Sequence, residues 1–200
     1  MKAWHFVGEK LRDGRPIPPD GEWLVHDGEL IMCGSGLHAS VRLIDALKYA
    51  PGNTICRVEV DGQIIKDDNK LVAEKRKILW RIEGEQVLTA FARWCALQVV
   101  HLWDAPDVVI KYLTTGNENT RSAAWAAASD AARSAARSAA RSAARSAARS
   151  ADWAAAWAAD WAAESDAASD ADWAAARSAQ ETQLLAMVEE ARNGKTEWIF

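Results

Sequence analysis

The chain has 200 residues, and its 24 Lys and Arg against 28 Asp and Glu give a net charge of −4, which argues against generic polyanion binding by the whole molecule. No run approaches the roughly 20 apolar residues of a membrane span, and the N-terminal residues are too polar for a secretory leader. The cysteines, Cys33, Cys56 and Cys95, lack paired metal-ligand spacing, so we expect reduced thiols and no metal site. These features predict a cytoplasmic protein without a membrane partner.

The first 50 residues predict two short strands and a helix. Lys2–Val7 alternates as a strand does, Asp13–Gly21 is a Gly- and Pro-rich loop, and Glu22–His26 is a second short strand. Ser40 is the predicted N-cap of a helix that runs to Ala50, before Pro51 and Gly52.

The next segment predicts a hairpin and a further strand. Thr54–Val60 and Gln63–Lys66 show the extended pattern on either side of a turn at Asp61 and Gly62. Another strand is predicted within Lys70–Ile82.

Helices complete the first domain. The apolar spacing from Glu85 to Trp103 fits a long, largely buried helix, while Pro106 begins the next helix and Gly116 ends it. The fold class is therefore α+β: a small mixed-sheet domain over residues 1–118, a long Ala-rich α-helical tail over 119–193 and an apolar C-terminal end over 194–200.

Residues 121–180 keep a four-residue period, and half of them are Ala with no Gly or Pro, which favours helix. A continuous helix would be about 90 Å long, but a four-residue stripe drifts by roughly 40° per repeat, so it must wind around the axis or be interrupted. Ser129, Ser165 and Ser169, each followed by Asp, are candidate N-caps for restarts. The pattern leaves one helix or several segments open.

The two halves of the tail carry opposite charge. Residues 121–150 hold six Arg against one Asp, a net of +5, and residues 151–180 hold six acidic residues against one Arg, a net of −5. Antiparallel pairing would place +5 on −5, so we expect a homo-oligomer through antiparallel tail helices. The ridge of Trp153, Trp157 and Trp161 is the candidate oligomer interface. A solvated helix is the alternative, and nucleic acid is disfavoured because the acidic half repels it.

The end of the chain regains ordinary amphipathic spacing at Leu184–Val188. Asn193 and Gly194 end the predicted helix, before the apolar Trp198–Phe200. These apolar residues are expected to dock on the first domain or on another subunit.

Candidate chemistry is confined to the first domain, which has no phosphate-binding glycine loop and no nucleophile elbow. His5 lies on the first strand, and His38 lies in a small-residue stretch before the predicted helix. A surface or core role is the alternative for both. The basic residues of 75–81 are interpreted as a solvated strand face, with phosphate contact as the alternative.

The order of elements resembles the ADP-ribosyltransferase fold, especially its poly(ADP-ribose) polymerase branch. Trp4-His5 is similar to the family's strand His, and Gly34-Ser35-Gly36-Leu37-His38 to its glycine-to-Tyr segment, with His38 in the Tyr position. Ala46–Tyr49 takes the place of the helix that follows.

This resemblance implies a site for NAD or a related nucleotide. It implies catalytic roles for His5 and His38, with Glu59, or alternatively Glu83, as the carboxylate that stabilises an oxocarbenium-like transition state. The implied ligand contacts are Trp4, Ser35, Gly36, Tyr49 and Arg81.

The whole chain, from Trp4-His5-Phe6 through Phe91–Leu97 to the repetitive tail, also resembles an uncharacterised family of phage and prophage proteins. That resemblance implies a small accessory phage protein in the host cytoplasm, with interference with host defence as its expected role. We favour a non-catalytic protein that binds a nucleotide-type ligand or a host protein and self-associates. An active NAD-dependent ADP-ribosyltransferase and a purely structural or scaffolding protein are the alternatives.

Overall fold

A computed structural model describes residues 1–149 and 174–200. It contains a sheet and helices, so the α+β class is confirmed. All strand pairs among the described residues are antiparallel, so the prediction of a mixed sheet is wrong. The chain divides into two compact units: residues 1–91 with 180–197 form the first, and residues 92–179 with 198–200 form the second. This division differs from the predicted boundaries at residues 118 and 193, because residues 180–197 belong to the same unit as the N-terminal sheet.

The sheet of the first unit closes on itself. Its strands are β1 (Lys2–Val7), β2 (Trp23–Val25), β3 (Leu37–Ala39), β4 (Thr54–Lys66) and β5 (Leu71–Glu83). They pair antiparallel in the order β1-β4-β5-β2, and β3 also pairs with β5. Ser40, directly after β3, exchanges both backbone hydrogen bonds with Trp4 of β1, at 2.7 and 2.9 Å. This bridge makes β1, β4, β5 and β3 a closed ring.

One core cluster of the first unit lies on one face of this sheet, and Phe6, Ile55 and Val72 on the opposite face are buried as well. The clustered side chains are Ala3, Val7, Ala39, Cys56, Val58, Val60, Leu71, Ala73 and Ile78. Cross-strand partners in an antiparallel pair share a face, and the register places Ala3 opposite Val58 and His5 opposite Cys56. His5 therefore points to the same side of the sheet as this cluster.

The predicted hairpin at Asp61 and Gly62 is wrong. β4 runs through both residues with a bulge between Asp61 and Ile64, and the chain reverses after β4, where the Asp67 N–H donates to the Lys70 carbonyl at 2.9 Å. Gly62 has a φ of 75°, and a Cβ there would lie 2.5 Å from Glu74 Oε2. The glycine therefore permits a bulge within a continuous strand.

Helix α1 (Leu43–Leu47) has Arg42 at its N-cap, so the prediction of Ser40 as the cap is wrong. The Ser40 backbone is already paired with Trp4, and Arg42 makes no capping side-chain hydrogen bond. The carboxylate of Glu181 instead accepts hydrogen bonds from the N–H groups of Leu43 and Ile44, at 3.0 and 2.7 Å. A residue 138 positions from Leu43 thus caps this helix.

Glu181 belongs to the C-terminal helix, α5, which is helical over residues 174–192 and followed by a turn at 193–194. Leu184, Met187 and Val188 are each no more than 1 % exposed, and the Arg192 guanidinium lies 4.7 Å from the ring centroid of Trp80. The sequence left open whether these apolar residues dock on the first domain or on another subunit. In the structure this part of α5 belongs to the first unit.

After β5 the chain continues as α2 (Glu85–Val99), a 3₁₀ turn (Val100–Leu102), α3 (Asp107–Thr115) and α4 (Glu118–Arg149). Helix α3 follows Pro106 and ends at Gly116, as predicted. Helix α4 continues through residues 129–130, so the first candidate restart is wrong. The candidate caps Ser165 and Ser169 and the ridge of Trp153, Trp157 and Trp161 lie outside the described residues. Among the described helices, none combines the length and apolar character that crossing a membrane requires.

Arg93 of α2 is buried in the second unit and binds three backbone carbonyls. Its Nη1 donates to Leu113 and Thr114 at 3.1 and 3.5 Å, and its Nη2 donates to Trp198 at 2.9 Å. Burial lowers the pKa of Arg93. The guanidinium thus joins the C-terminal end of α3 to the end of the chain.

We expect Gly116→Ala to destabilise the protein more than Gly194→Ala. Both glycines follow helices with left-handed φ angles, 68° and 97°, so each substitution carries a penalty of about 1 kcal/mol. A Cβ at Gly116 would also lie 2.6 Å from Arg93 Cζ, whereas nothing lies within 4 Å at Gly194. Because Arg93 is held by three carbonyls, we expect roughly 1–2 kcal/mol of additional loss at Gly116. Urea unfolding measures both, and equal losses would show that Arg93 moves aside freely.

Candidate functional site

The first unit contains a cavity of about 800 Å³ whose wall includes both partners of the Trp4–Ser40 bridge. The wall is built from β1, the loop at residues 10–15, the segment 33–40, residues 46–51, Lys70 and Arg76. Its volume lies within the roughly 300–1,000 Å³ that is usual for small-molecule sites. Most of its charged groups are cationic.

Arg76 of β5 is the deepest cation on this wall and is only 6 % exposed. Its register partner is Val60, a core residue, so Arg76 points inward while Lys75 and Lys77, its neighbours, do not share that face. Its Nη1 donates to the His38 carbonyl. Among the ion pairs of the described residues, none involves Arg76.

Burial lowers the pKa of Arg76 to about 10, so the guanidinium remains charged near neutral pH. Burial also raises the pKa of the neighbouring Cys56 thiol to about 11, which keeps that thiol neutral. A buried cation without a carboxylate partner is unfavourable unless an anion reaches it. The cavity provides the route for such an anion.

His5 of β1 faces the same cavity. Burial first, and then the charges of Arg76 and His38, lower the pKa of His5 well below its usual value. His5 is therefore neutral near pH 7 and offers a hydrogen-bonding nitrogen beside the Arg76 cation.

His38 uses both ring nitrogens to organise the loop before β3. Its Nδ1 lies 3.2 Å from the Gly36 carbonyl, and its Nε2 accepts the Cys33 N–H at 3.0 Å. We assign the proton to Nδ1 because only that tautomer satisfies both contacts. Burial and the charges of Arg12, Arg76 and Lys70 lower the pKa of His38, opposed by the Gly36 carbonyl. His38 is thus an organising residue whose lone pair is already engaged.

Two further cations meet at Cys33, which has a φ of 63°. Lys70 Nζ lies 2.9 Å from the Cys33 sulfur, and Arg12 Nη1 lies 3.5 Å from the Cys33 carbonyl. Lys70 also lies 5.5 Å from the ring centroid of Tyr49. Lys70 and Arg12 therefore add two cations to the cavity wall that contains Arg76.

Residues 1–90 match the model of the DUF7666 family, a domain of unknown function. No curated protein and no solved structure matches the chain. Every residue that lines the cavity lies within this DUF7666 match, between Trp4 and Arg76. The cavity wall is thus built from the matched segment.

The cavity of the DUF7666 segment brings together six residues of the predicted site: Trp4, His5, Ser35, Gly36, His38 and Tyr49. The Ser35 hydroxyl lies 2.9 Å from Nε2 of His26, a histidine that the sequence did not single out. The Trp4 ring lies 4.5 Å from Arg57 and packs edge-on against Trp80, with ring centroids 5.6 Å apart. Trp4 therefore belongs to the wall, but its indole ring already packs against Arg57 and Trp80.

Glu59, the predicted catalytic carboxylate, does not line the cavity. It pairs in register with Lys2 and Lys77, and its Oε2 lies 2.8 Å from Lys77 Nζ. Lys77 lowers the pKa of Glu59. Because side chains alternate along β4, Glu59 lies on the face opposite Val58 and Val60, away from His5. The alternative, Glu83, is also absent from the wall and is exposed at the end of β5.

Arg81, a predicted ligand contact, is also outside the cavity. Its Nε donates to Asp20 at 2.7 Å and its Nη2 donates to the Pro18 carbonyl at 2.8 Å, so it secures the loop before β2. Within the described part of the chain, the cavity wall carries one carboxylate, Asp13, which lies 2.7 Å from Arg15. No group of three or more His, Cys, Asp or Glu in that part is placed to hold a metal ion.

The residue that sequence reasoning misjudged is Arg76, which was interpreted as part of a solvated basic strand. Irregularities between Arg57 and Val58 and between Asp61 and Ile64 change the alternation along β5, so its inward positions are Leu71, Ala73, Arg76 and Ile78. Alternation extended from Leu71 and Ala73 would place Lys75 inward, whereas alternation extended back from Ile78 places Arg76 inward, and only the register across β4 decides between them.

We expect the protein to lose stability as the pH falls below about 6.5, the usual pKa of His in an unfolded chain. His5 and His38 have lowered pKa values in the folded state, so the unfolded state binds protons first. The loss should continue until the pH reaches the lowered pKa of the folded protein. Thermal unfolding between about pH 7.5 and 5 measures it, and His5→Gln should flatten the dependence.

His101→Gln, at an exposed position in the 3₁₀ turn, provides the control and should retain the wild-type dependence. An unchanged dependence in His5→Gln would show that the His5 imidazole does not contribute to it.

Proposed function

We propose that the first unit is a non-catalytic binding module for a nucleotide-type ligand, whose phosphate contacts Arg76 in the 800 Å³ cavity. The observation that carries this proposal is the burial of Arg76 on the cavity wall without a carboxylate partner among the described ion pairs. A phosphate would supply the missing negative charge, and an Arg guanidinium suits its geometry.

The rest of the wall also fits a nucleotide. Lys70 and Arg12, which both contact Cys33, add positive charge to the wall. This charge favours a ligand with more than one anionic group. Val7, Ala46 and Pro51 offer apolar surface for the uncharged part of such a ligand. The resemblance to ADP-ribosyltransferases makes NAD and ADP-ribose the first compounds to test.

Binding without group transfer is favoured by two contacts. Glu59 is held by Lys77 outside the cavity, and the Nε2 lone pair of His38 is engaged by the Cys33 N–H. A transferase would need a carboxylate near the reacting ribose to stabilise positive charge in the transition state. The resemblance to phage and prophage proteins supports an accessory role in a host cytoplasm, where capture of a nucleotide-type ligand or a host protein would interfere with defence.

We further propose that the repeat of residues 121–180 forms a helical tail through which the protein self-associates. Support comes from the helical course of α4 over Glu118–Arg149 and from the net charges of +5 and −5 on the two halves of the repeat. Antiparallel pairing would place these charges together, with Trp153, Trp157 and Trp161 as the interface.

We expect Arg76→Gln to weaken ADP-ribose binding by about 10- to 100-fold, the effect of removing one charge-assisted hydrogen-bond partner. Calorimetric titration of the full chain measures the affinity. Arg81→Gln is the matched control, because Arg81 binds Asp20 and Pro18 outside the cavity. Arg12→Gln, at an exposed position, should weaken binding by about threefold without disturbing the core.

Adenosine, which has no phosphate, should show no difference between wild type and Arg76→Gln. Failure of ADP-ribose, NAD and AMP to bind the wild-type protein would overturn the proposed ligand class. Transfer of label from NAD to a protein in a host lysate, abolished by His5→Ala, would replace the binding module with an active transferase.

We expect the full chain to sediment as an oligomer at about 50 mM salt and to dissociate at about 500 mM, where charge pairing is screened. Replacing Arg137, Arg141 and Arg145 by Gln should give a monomer at both concentrations, because it removes three of the positive charges. A wild-type monomer at both salts, with unchanged helicity by circular dichroism, would rule out the proposed tail pairing.

A further inference from the structure

Helix α1 depends on a distant carboxylate for its first turn. It has only five residues, and such short helices are unstable without tertiary support. The two carboxylate oxygens of Glu181 accept the N–H groups of Leu43 and Ile44, at 3.0 and 2.7 Å. A negative charge at this end of a helix also interacts favourably with the helix dipole.

Glu181 is itself held by the packing of α5. Leu184 lies three residues further along the same helix, so it projects from the same side one turn later. Leu184 is fully buried, and Met187 and Val188 are each 1 % exposed. The carboxylate is therefore presented from a helix that is anchored in the first unit.

The other end of α1 leads directly to the cavity. Ala46 of α1 and Tyr49, two residues after its end, both line the wall. The Tyr49 hydroxyl donates to Asn69 Oδ1 at 2.8 Å. Lys70 lies 5.5 Å from the Tyr49 ring centroid and 2.9 Å from the Cys33 sulfur. A displacement of α1 would therefore move Tyr49 and, through Tyr49, would change the position of Lys70 on the cavity wall.

We infer that Glu181 is a positioning residue for the cavity, through which the docking of α5 controls the affinity of the site for its anionic ligand. This inference rests on the proposed function of the cavity. Because coupling between two equilibria is reciprocal, an occupied cavity stabilises the docking of α5, and a partner that pulls α5 away weakens ligand binding. The repetitive tail directly precedes Glu181, so α5 connects the tail to the site. Binding of a partner to the tail would therefore act on the site through α5.

The test compares Glu181→Gln and Glu181→Ala with Glu190→Gln in the full chain, using ADP-ribose as the probe. Glu190 lies on the same helix and pairs with the exposed Lys195 at 2.9 Å, which makes it the matched control. We expect about threefold weaker affinity in Glu181→Gln and about tenfold in Glu181→Ala, the range expected from the loss of a helix cap. Glu190→Gln should bind as wild type does.

Hydrogen exchange distinguishes positioning from general destabilisation. In both Glu181 variants the amides of Leu43 and Ile44 should exchange faster, while those of β4 keep their wild-type rates. Saturation with ADP-ribose should slow exchange at residues 184–188 in the wild-type protein but not in Glu181→Ala.

The outcomes separate the two proposals. If the wild-type protein binds ADP-ribose and Glu181→Ala binds it equally well, the positioning role is overturned while the ligand site stands. Faster exchange throughout β4 in both Glu181 variants would also overturn it, since the residue would then act on the whole fold. If the wild-type protein does not bind ADP-ribose, the proposed function fails and the positioning role fails with it.

Discussion

The backbone bridge between Trp4 and Ser40 is the constraint on which the first unit depends. Without it, β1 would be an edge strand, and the segment that follows Gly36 would contact the sheet only through β5. Two hydrogen bonds close the ring. They bring His5, which follows Trp4, and residues 33–39, which precede Ser40, to the wall of one cavity. His5 and His38 meet there because their strands are joined, although 33 positions separate them in the sequence.

The two arginines that are buried among the described residues, Arg76 and Arg93, have different roles in the structure. Arg93 donates to the carbonyls of Leu113, Thr114 and Trp198, so its burial joins distant parts of the second unit. The Arg76 guanidinium donates to the His38 carbonyl and borders an 800 Å³ cavity. Burial is unfavourable for both charges, but only at Arg76 does a cavity leave room for an external anion. The difference in partners, rather than in burial, is the reason that we assign a structural role to Arg93 and propose a binding role for Arg76.

The placement of α5 changes how the tail is understood. A regular Ala-rich repeat suggests a rod that leaves the folded domain, but the chain after it returns to the first unit with Leu184, Met187 and Val188 buried there. Glu181 then supplies a cap that the sequence around α1 lacks.

The sequence by itself determined the elements whose signals are local. Alternation identified β1, the Pro106 and Gly116 pair identified the limits of α3, and the final Asn193 and Gly194 identified the end of α5. It also singled out six of the cavity residues, including His5, Ser35 and Tyr49. These features follow from side-chain period, backbone freedom and capping, which act over a few residues.

Tertiary structure alone decided on which side of the sheet each charged side chain lies and which hydrogen-bond or ion-pair partner each polar group has. Glu59 and Arg76 both lie on strands, but the register across β4 and β5, with its bulges, sends Arg76 to the cavity and Glu59 to Lys77. Ser40 had the chemistry of a cap, yet its backbone was needed for the bridge to Trp4, and Glu181 took its place. A local sequence pattern cannot predict these contacts, because each depends on a partner that only the folded chain brings within hydrogen-bonding distance.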